Sequence, residues 1–175
     1  INLAAAVEYA LNQGKSRITG KGMGLAERPA TDFSSYEEVK NAVYRQIAYL
    51  IKHSVIGTIT AQQIHAEMVP RPYLSLLVDG CMDKGKDLSK GGAKYNVGPV
   101  LTGIGVADTA NSLAMIKKLV FEEKKYTLAE ICQALAADWN GYEELRQAAL
   151  ACPKYGNDND YVDSIAVAIT EFYHQ

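Results

Sequence analysis

Residues 91–96 read Gly-Gly-Ala-Lys-Tyr-Asn, and they lie in a glycine-rich zone of this 175-residue chain, between Lys86 and Val106. Adjacent glycines let the backbone adopt angles that other residues avoid, and they let a second backbone segment come close. Three more glycines follow within the zone. We therefore predict irregular structure here, with short extended stretches around residues 91–106.

On both sides of this zone the sequence favours helix. Apolar residues recur at helical spacing, whereas few segments alternate apolar and polar residues as a half-buried strand would. Capping boxes at residues 35–38 and 127–130 mark two helix starts. The second predicted helix starts at residue 35 and either ends near residue 53 or continues past Gly57 through 58–68. The other predicted helices are 2–12, 73–84, 108–123, 127–137, 142–151 and a last helix after 157–160. The predicted fold class is mainly α, in a single region covering residues 1–175.

The segment 73–84 is predicted to be one buried helix. Pro70 and Pro72 break the chain before it, because proline disfavours helix in the residue that precedes it. Gly85 supplies the expected stop. The side chains predicted to point inward are Leu74, Leu77, Val78 and Cys81.

Charge and cysteine usage exclude several classes of protein. The formal net charge is −2, from 18 basic and 20 acidic residues, whereas nucleic-acid binding needs a basic stripe. No apolar run is long enough for a membrane span, and no signal peptide is visible. Cys81, Cys132 and Cys152 are odd in number and far apart, which argues against a disulfide framework or a zinc site and favours a reducing cytoplasm.

No self-contained catalytic or metal site can be assigned from the residue pattern. The three histidines, His53, His65 and His174, never place two ligands on one helical face. Residues 103–108 read Gly-Ile-Gly-Val-Ala-Asp, which admits a dinucleotide-binding oxidoreductase as an alternative, but the third glycine of that fingerprint is missing. The acidic run at 157–160 is better explained as a helix cap than as a calcium loop.

Several motifs together resemble the glycyl radical enzyme family, in the expected order and over nearly the whole chain. They include the glycine-rich run 91–96 and the stretch Pro-Lys-Tyr-Gly-Asn-Asp at 153–158. The others are residues 2–8, 70–75, 79–87, 103–109, 117–123 and 141–146. The chain looks more like the branch of dehydratases, decarboxylases and C–N or C–S lyases than like pyruvate formate-lyase (formate acetyltransferase) itself.

This resemblance implies an α/β barrel of ten strands wrapped in helices, of which this chain would supply a helical segment. It implies a parent enzyme that is cytoplasmic, anaerobic and homodimeric. A protein-based glycyl radical, installed by an activase that uses S-adenosylmethionine and an iron–sulfur cluster, would generate a thiyl radical on a cysteine. The expected partners are the remainder of the parent enzyme and the activase, with neither nucleic acid nor membrane.

The family's catalytic cysteine stands in a G-C-x-E-type loop upstream of the matched segment, and its radical glycine stands in an R-x-x-G-[YF]-type loop downstream. Cys81 occurs in Gly-Cys-Met-Asp, which we interpret as helix core. We therefore expect an internal fragment that is scaffold, has no catalytic residue, binds no cofactor and is inactive in isolation. The other hypothesis is a stand-alone helical binding or assembly module derived from the family.

The resemblance leaves two interpretations open for the glycine-rich run. Gly91, Gly92, Tyr95 and Asn96 either shape the substrate pocket or form a tight structural turn. The substrate itself cannot be predicted from this segment.

Overall fold

The computed structural model describes residues 1–96 and 100–174, and within those ranges the chain is helical with no β-strand. Two isolated bridges are the nearest approach to a sheet, a parallel one between Asn2 and Ile104 and an antiparallel one between Lys15 and Gly22. The prediction of a mainly α fold is confirmed. Around residues 91–106 the described backbone is irregular, with Ile104 in a bridge, and part of that prediction, residues 97–99, lies outside the described residues.

The helices follow the predicted order. Short 3₁₀ turns occur at Ala30–Asp32 and Leu88–Lys90. The α-helices are α1 Leu3–Leu11, α2 Tyr36–Met68, α3 Pro72–Leu76, α4 Cys81–Lys84, α5 Val106–Ile116, α6 Leu128–Ala136, α7 Glu143–Ala151 and α8 Asp160–His174, and a π-helical segment Lys117–Glu122 continues α5.

The chain divides into two compact units. Unit 1 comprises Ile1–Leu50 and Gly103–Gln175, and unit 2 comprises Ile51–Thr102. In unit 1, helix α5 packs against both α1 and α8. The fully buried apolar side chains of this core include Leu3, Ile47, Leu113, Ile116, Ile131 and Ile169. The prediction of a single region over residues 1–175 stays a prediction.

Helix α1 begins and ends as its sequence predicts. Asn2 caps it, because the side-chain oxygen accepts from the backbone N–H groups of Ala4 and Ala5. The stop follows at once, with Gln13 and Gly14 at φ +55° and +78°. A methyl group on Gly14 would lie 2.3 Å from the carbonyl oxygen of Leu25, so glycine is required for this close approach.

Helix α2 runs without interruption from Tyr36 to Met68, so the longer of the two predicted forms is the observed one. The capping box before it is only half present. Ser35 Oγ accepts from the N–H of Glu38 at 3.3 Å, but the Glu38 carboxylate accepts from the N–H and hydroxyl of Ser34 at 2.7 and 3.1 Å. The Glu38 carboxylate therefore binds Ser34, the residue before the cap, and not the backbone of Ser35.

The predicted helix 73–84 is wrong in two respects. It is interrupted between α3 and α4, where Gly80 takes φ +92°, a left-handed conformation that a regular helix cannot contain. Leu74 and Leu77 are exposed, whereas Cys81 is buried as predicted. Gly85 does end the segment, in a left-handed conformation with φ +58°.

The second half of the chain agrees more closely with the predictions. Helix α5 starts at Val106, two residues before the predicted start, and continues through the π-helical segment to Glu122. The capping box at Thr127 is complete, since its hydroxyl accepts from the N–H of Glu130 while the Glu130 carboxylate accepts from the N–H of Thr127. On α8, the ring of Phe172 stacks on that of Tyr44 with ring centroids 4.4 Å apart.

Candidate functional site

Gly92 lies against the backbone of residues 86 and 87. Its N–H donates to the carbonyl of Asp87 at 3.0 Å. A Cβ at this position would lie 2.1 Å from the carbonyl oxygen of Lys86, a distance that no real contact allows. Gly91, at φ +79°, supplies the left-handed end of the preceding 3₁₀ turn. The two glycines are therefore required by the backbone of the loop.

A second close approach fixes the other side of this loop. The N–H of Lys94 donates to the carbonyl of Asp79 at 2.7 Å. A Cβ on Gly80 would lie 2.8 Å from that same nitrogen. The ammonium group of Lys84 donates to the carbonyl of Ala93 at 2.7 Å. Residues 92–94 are thus held against the start and end of helix α4.

Asp87 is the hydrogen-bond centre of the site. Its Oδ1 accepts from the N–H and hydroxyl of Ser89 at 2.9 and 2.6 Å, and its Oδ2 accepts from the N–H of Arg71 at 2.8 Å and the hydroxyl of Ser75 at 3.0 Å. Donors from Ser89, followed by those from Arg71 and Ser75, stabilise the carboxylate and lower the pKa of Asp87 to about 2. This side chain ties the start of α3 to the glycine-rich loop.

Tyr95 and Asn96 are exposed rather than packed into the loop. The Tyr95 side chain is 79% exposed, and the ammonium group of Lys94 lies 5.6 Å from the centre of its ring. The structure thus separates the four predicted site residues into two roles. Gly91 and Gly92 build the turn, while Tyr95 and Asn96 are presented outward by it.

Sequence reasoning missed Asp87 and Ser75. The spacing Asp-Leu-Ser at 87–89 is a local signal, because an aspartate side chain commonly binds the backbone N–H two residues later. The contribution of Ser75, which also accepts from the N–H of Leu88 at 2.9 Å, has no local signal. An open cavity of about 330 Å³ lies beside this network, lined by residues that include Ser75, Leu76, Cys81, Met82 and Asp87.

Unit 1 contains a separate cavity of about 270 Å³ between α1, α5 and α6. Cys132 lines it together with Glu8 and Arg17. Burial raises the pKa of the Cys132 thiol, and the nearby Arg17 offsets this only in part. Burial also raises the pKa of Cys152. Both thiols are therefore poor nucleophiles at neutral pH, because the thiolate is the reactive form.

The π-helical segment places Lys117 between two tyrosine rings. Its ammonium group lies 4.6 Å from the ring centre of Tyr161 and 5.6 Å from that of Tyr36. The Tyr161 hydroxyl donates to Glu122 at 3.0 Å. Burial, followed by this carboxylate, raises the pKa of Tyr161, and burial raises that of Tyr36. Both phenols stay protonated at neutral pH, and the cluster holds α8 against the π-helical segment.

The family model described as pyruvate formate lyase-like matches residues 1–175 of the chain. The chain belongs to the pyruvate formate lyase-like family.

Relatives within the family are similar over nearly all of this chain. Trans-4-hydroxy-L-proline dehydratase of Clostridioides difficile is 37% identical over 99% of the chain and 22% of that protein. (2S)-3-sulfopropanediol dehydratase of Klebsiella oxytoca is 38% identical over 99% of the chain and 21% of that protein. The crystal structure of the C. difficile hydroxyproline dehydratase with bound substrate superposes with a TM-score of 0.91 at 36% identity, over 98% of this chain and 22% of that one. The chain spans about a fifth of the length of the relatives it matches.

Three further expectations from the sequence concern a metal site, a dinucleotide-binding fold and a membrane span. Within residues 1–96 and 100–174, no group of three or more His, Cys, Asp or Glu side chains is arranged to hold a metal ion. The residues before Gly103–Asp108 that the structure describes form no strand, so the dinucleotide-binding alternative is wrong. Among the helices that the structure describes, none combines the length and the apolarity that a membrane span requires.

Proposed function

We propose that this chain is a helical scaffold segment of a glycyl radical dehydratase or lyase, which acts on a small organic substrate by C–O, C–C, C–N or C–S cleavage. The observation that carries the proposal is the identity of 37–38% over 99% of the chain to two dehydratases named for different substrates. An isethionate sulfite-lyase of Oleidesulfovibrio alaskensis is also 35% identical over 95% of the chain. A segment that is similar in enzymes of different substrates supports a scaffold role.

The finer parts of the proposal follow from the family resemblance. The segment would wrap part of a ten-stranded α/β barrel formed with the remainder of the parent enzyme. The parent would be a cytoplasmic, anaerobic homodimer whose glycyl radical is installed by an activase that uses S-adenosylmethionine and an iron–sulfur cluster. The exposed side chains of Leu74 and Leu77 belong to the surface that such a barrel would cover.

The residues of this segment do not fit the two radical positions. Cys81 is 2% exposed at the start of α4 and is followed by Met82 and Asp83 rather than by the glutamate spacing of the family's cysteine loop. Cys132 and Cys152 stand among helical alanines and leucines, with raised pKa values. The arrangement R-x-x-G followed by an aromatic residue does not occur in residues 1–175. These three cysteines therefore do not match the family's catalytic cysteine, and no glycine of residues 1–175 matches its radical glycine.

For the glycine-rich run, we propose that Gly91 and Gly92 position Tyr95 and Asn96 at the edge of the substrate pocket of the parent enzyme. Two observations support this assignment. The glycine backbone is locked against residues 86–87 by a contact that tolerates no side chain, and the Tyr95 side chain that follows is 79% exposed. A rigid turn that presents polar side chains outward is suited to orienting a small polar substrate.

An activation experiment tests whether the 175-residue segment lacks the radical chemistry of the complete enzyme. The 175-residue polypeptide and the parent protein are each treated anaerobically with the activase and S-adenosylmethionine, and radical formation is followed by electron paramagnetic resonance. We expect a glycyl radical signal in the parent and none in the polypeptide. A radical signal in the polypeptide alone, or its absence from an intact and folded parent, would contradict the proposal.

The pocket assignment has its own test in the activated parent. Tyr95→Phe and Asn96→Ala should change kcat/KM for the substrate while leaving the radical signal unchanged. Tyr73→Phe, another exposed tyrosine of unit 2, is the matched control and should leave kcat/KM unchanged. Unaltered kinetics in both loop variants would assign the loop to structure alone.

A further inference from the structure

The connection between α6 and α7 ends in a tight turn at residues 139–142. The N–H of Tyr142 donates to the carbonyl of Trp139 at 3.0 Å. Gly141 takes φ +83°, whereas Asn140 is not among the residues with positive φ. A glycine with positive φ at the third position is typical of a type II turn. Asn140 and Gly141 are both exposed.

Within the described part of the chain, the reactive groups of this turn have no hydrogen-bond partner. No described residue bonds to the side-chain amide of Asn140, and none accepts from the N–H of Gly141. The closing bond of the turn uses the atoms of Trp139 and Tyr142 instead. A Cβ built on Gly141 would meet nothing within 4 Å. Neither reactive group is therefore held by a hydrogen bond that the attack would have to break.

We propose that Asn140 is a site of spontaneous deamidation. The backbone nitrogen of Gly141 attacks the side-chain carbonyl carbon of Asn140, so that a new C–N bond forms while the bond from this carbon to the amide nitrogen breaks. The Gly141 nitrogen loses its proton, the leaving amide nitrogen gains one, and it departs as ammonia. Water then opens the five-membered succinimide at either carbonyl, which yields aspartate or isoaspartate. The net change replaces an amide by a carboxylate and consumes one water, with no oxidant, metal or enzyme.

The identity of the following residue makes Asn140 the most reactive asparagine of the chain. Asn140 is the one asparagine of the sequence that precedes glycine. A Cβ on the following residue hinders approach of its nitrogen to the asparagine side chain, and glycine has none. The turn must open for the two groups to align. Asp138 and Trp139 lower the cost of opening, because their φ values of +50° and +65° are strained for residues with a side chain.

The product alters the start of helix α7. A carboxylate at position 140 adds negative charge beside Glu143 and Glu144, which already occupy the first turn of α7, where negative charge suits the helix dipole. Isoaspartate has a different effect, because it lengthens the main chain by one atom inside the turn. The bond from Tyr142 to Trp139 cannot keep its geometry in that product.

The test follows the purified protein during storage at mildly alkaline pH and physiological temperature. Peptide mapping by mass spectrometry measures conversion at each asparagine, and methylation by an isoaspartyl methyltransferase reports isoaspartate. Asn157 is the internal reference, since it is also exposed in a loop but precedes Asp158. We expect Asn140 to convert about tenfold faster than Asn157, because of the missing Cβ on Gly141.

Two variants and one condition make the result decisive. Asn140→Gln should abolish conversion at this position, because attack would need a larger ring, and Gly141→Ala should slow it. Conversion at Asn140 that is no faster than at Asn157 in the folded protein would overturn the proposal. Rapid conversion in urea with none under native conditions would overturn it as well, since it would show that the fold blocks the reaction.

Discussion

Gly92 and Gly57 are opposite cases among the glycines of unit 2. A methyl group on Gly92 would overlap the Lys86 carbonyl at 2.1 Å, whereas one on Gly57 would meet nothing within 4 Å. Gly92→Ala should therefore lower the free energy of unfolding by about 1–3 kcal/mol, the usual cost of forced backbone shifts. Gly57→Ala, on the exposed side of α2, should raise it by about 1 kcal/mol through helix propensity. Urea unfolding of both variants measures the difference, and equal midpoints would contradict it.

The Asp87 carboxylate should make the stability of unit 2 depend on pH in the acid range. Its pKa in the folded protein is about 2, below the ordinary value of 3.8. A depressed pKa stabilises the fold above the ordinary value, and the contribution is lost as the pH falls from about 4 towards 2. Asp87→Asn should lower stability at neutral pH and flatten the profile in that window.

Amide hydrogen exchange of residues 71–94 across the acid range is the measurement for Asp87. Asp83→Asn is the matched control, because this exposed carboxylate in the same unit has no hydrogen-bond donor among the described residues. It should leave the pH profile as it is. If the stability of the Asp87→Asn variant still fell steeply as the pH was lowered, the acid sensitivity would belong to another group.

The network around Asp87 shows which residue-level features a sequence can predict. Its bond to Ser89 spans two residues and follows from local Asx-turn chemistry. Its bonds to Arg71 and Ser75 span 16 and 12 residues, and they depend on where the chain returns after α4. The adjacent glycines at 91 and 92 indicate an unusual backbone conformation in the sequence alone. Which backbone group they contact depends on the path of the chain after α4.

Thr127 gives a sharp prediction at the level of a single helix. Its side chain and Glu130 satisfy two backbone N–H groups of α6 reciprocally. Thr127→Ala should reduce the free energy of unfolding by about 1 kcal/mol, the usual effect of losing a helix cap. Thr60→Ala is the control, since this exposed threonine lies inside α2 and donates only to the Ile56 carbonyl. The control should be neutral or slightly stabilising in thermal unfolding, because alanine has the higher helix propensity.

The helices that sequence reasoning placed well are those with an unambiguous cap. Thr127 marks the start of α6, where the structure confirms the complete capping box. Gly85 also ends its segment as predicted, although that segment is not one helix. The failure at 73–84 has a physical cause. Leu74, Leu77 and Val78 follow helical spacing, but the close approach of Lys94 to Gly80 requires a left-handed residue in mid-segment. A contact between residues 14 apart in sequence thus overrides local periodicity.

At the scale of the whole molecule, unit 2 exposes an unusual amount of apolar side chain. Tyr73, Leu77 and Met68 are 87%, 82% and 76% exposed. Large exposed apolar surface is typical of an interface that another segment covers. We expect the isolated 175-residue polypeptide to self-associate. A stand-alone helical module would instead be monodisperse over the same concentrations.

Charge substitution on this surface should relieve the association. The double variant Tyr73→Glu and Leu77→Glu should shift the isolated polypeptide towards monomer in sedimentation velocity, with little loss of stability because neither side chain is buried. Ile18→Glu, at a position of unit 1 that is 93% exposed, is the control and should leave association unchanged. If the double variant and Ile18→Glu reduced association equally, the association would be non-specific and would not involve a defined surface.

The pairing of the first residues with Ile104 has a consequence for synthesis on the ribosome. Ile104 donates to the Ile1 carbonyl and accepts from the N–H of Leu3, both at 2.8 Å, so the place of α1 is defined only after about 100 further residues. At about 5–20 residues per second this delay lasts on the order of 5–20 s. Throughout this delay the apolar face of α1 lacks the partner that buries it in the folded protein. Slower translation should therefore lengthen the time for which this face is open to binding by a chaperone.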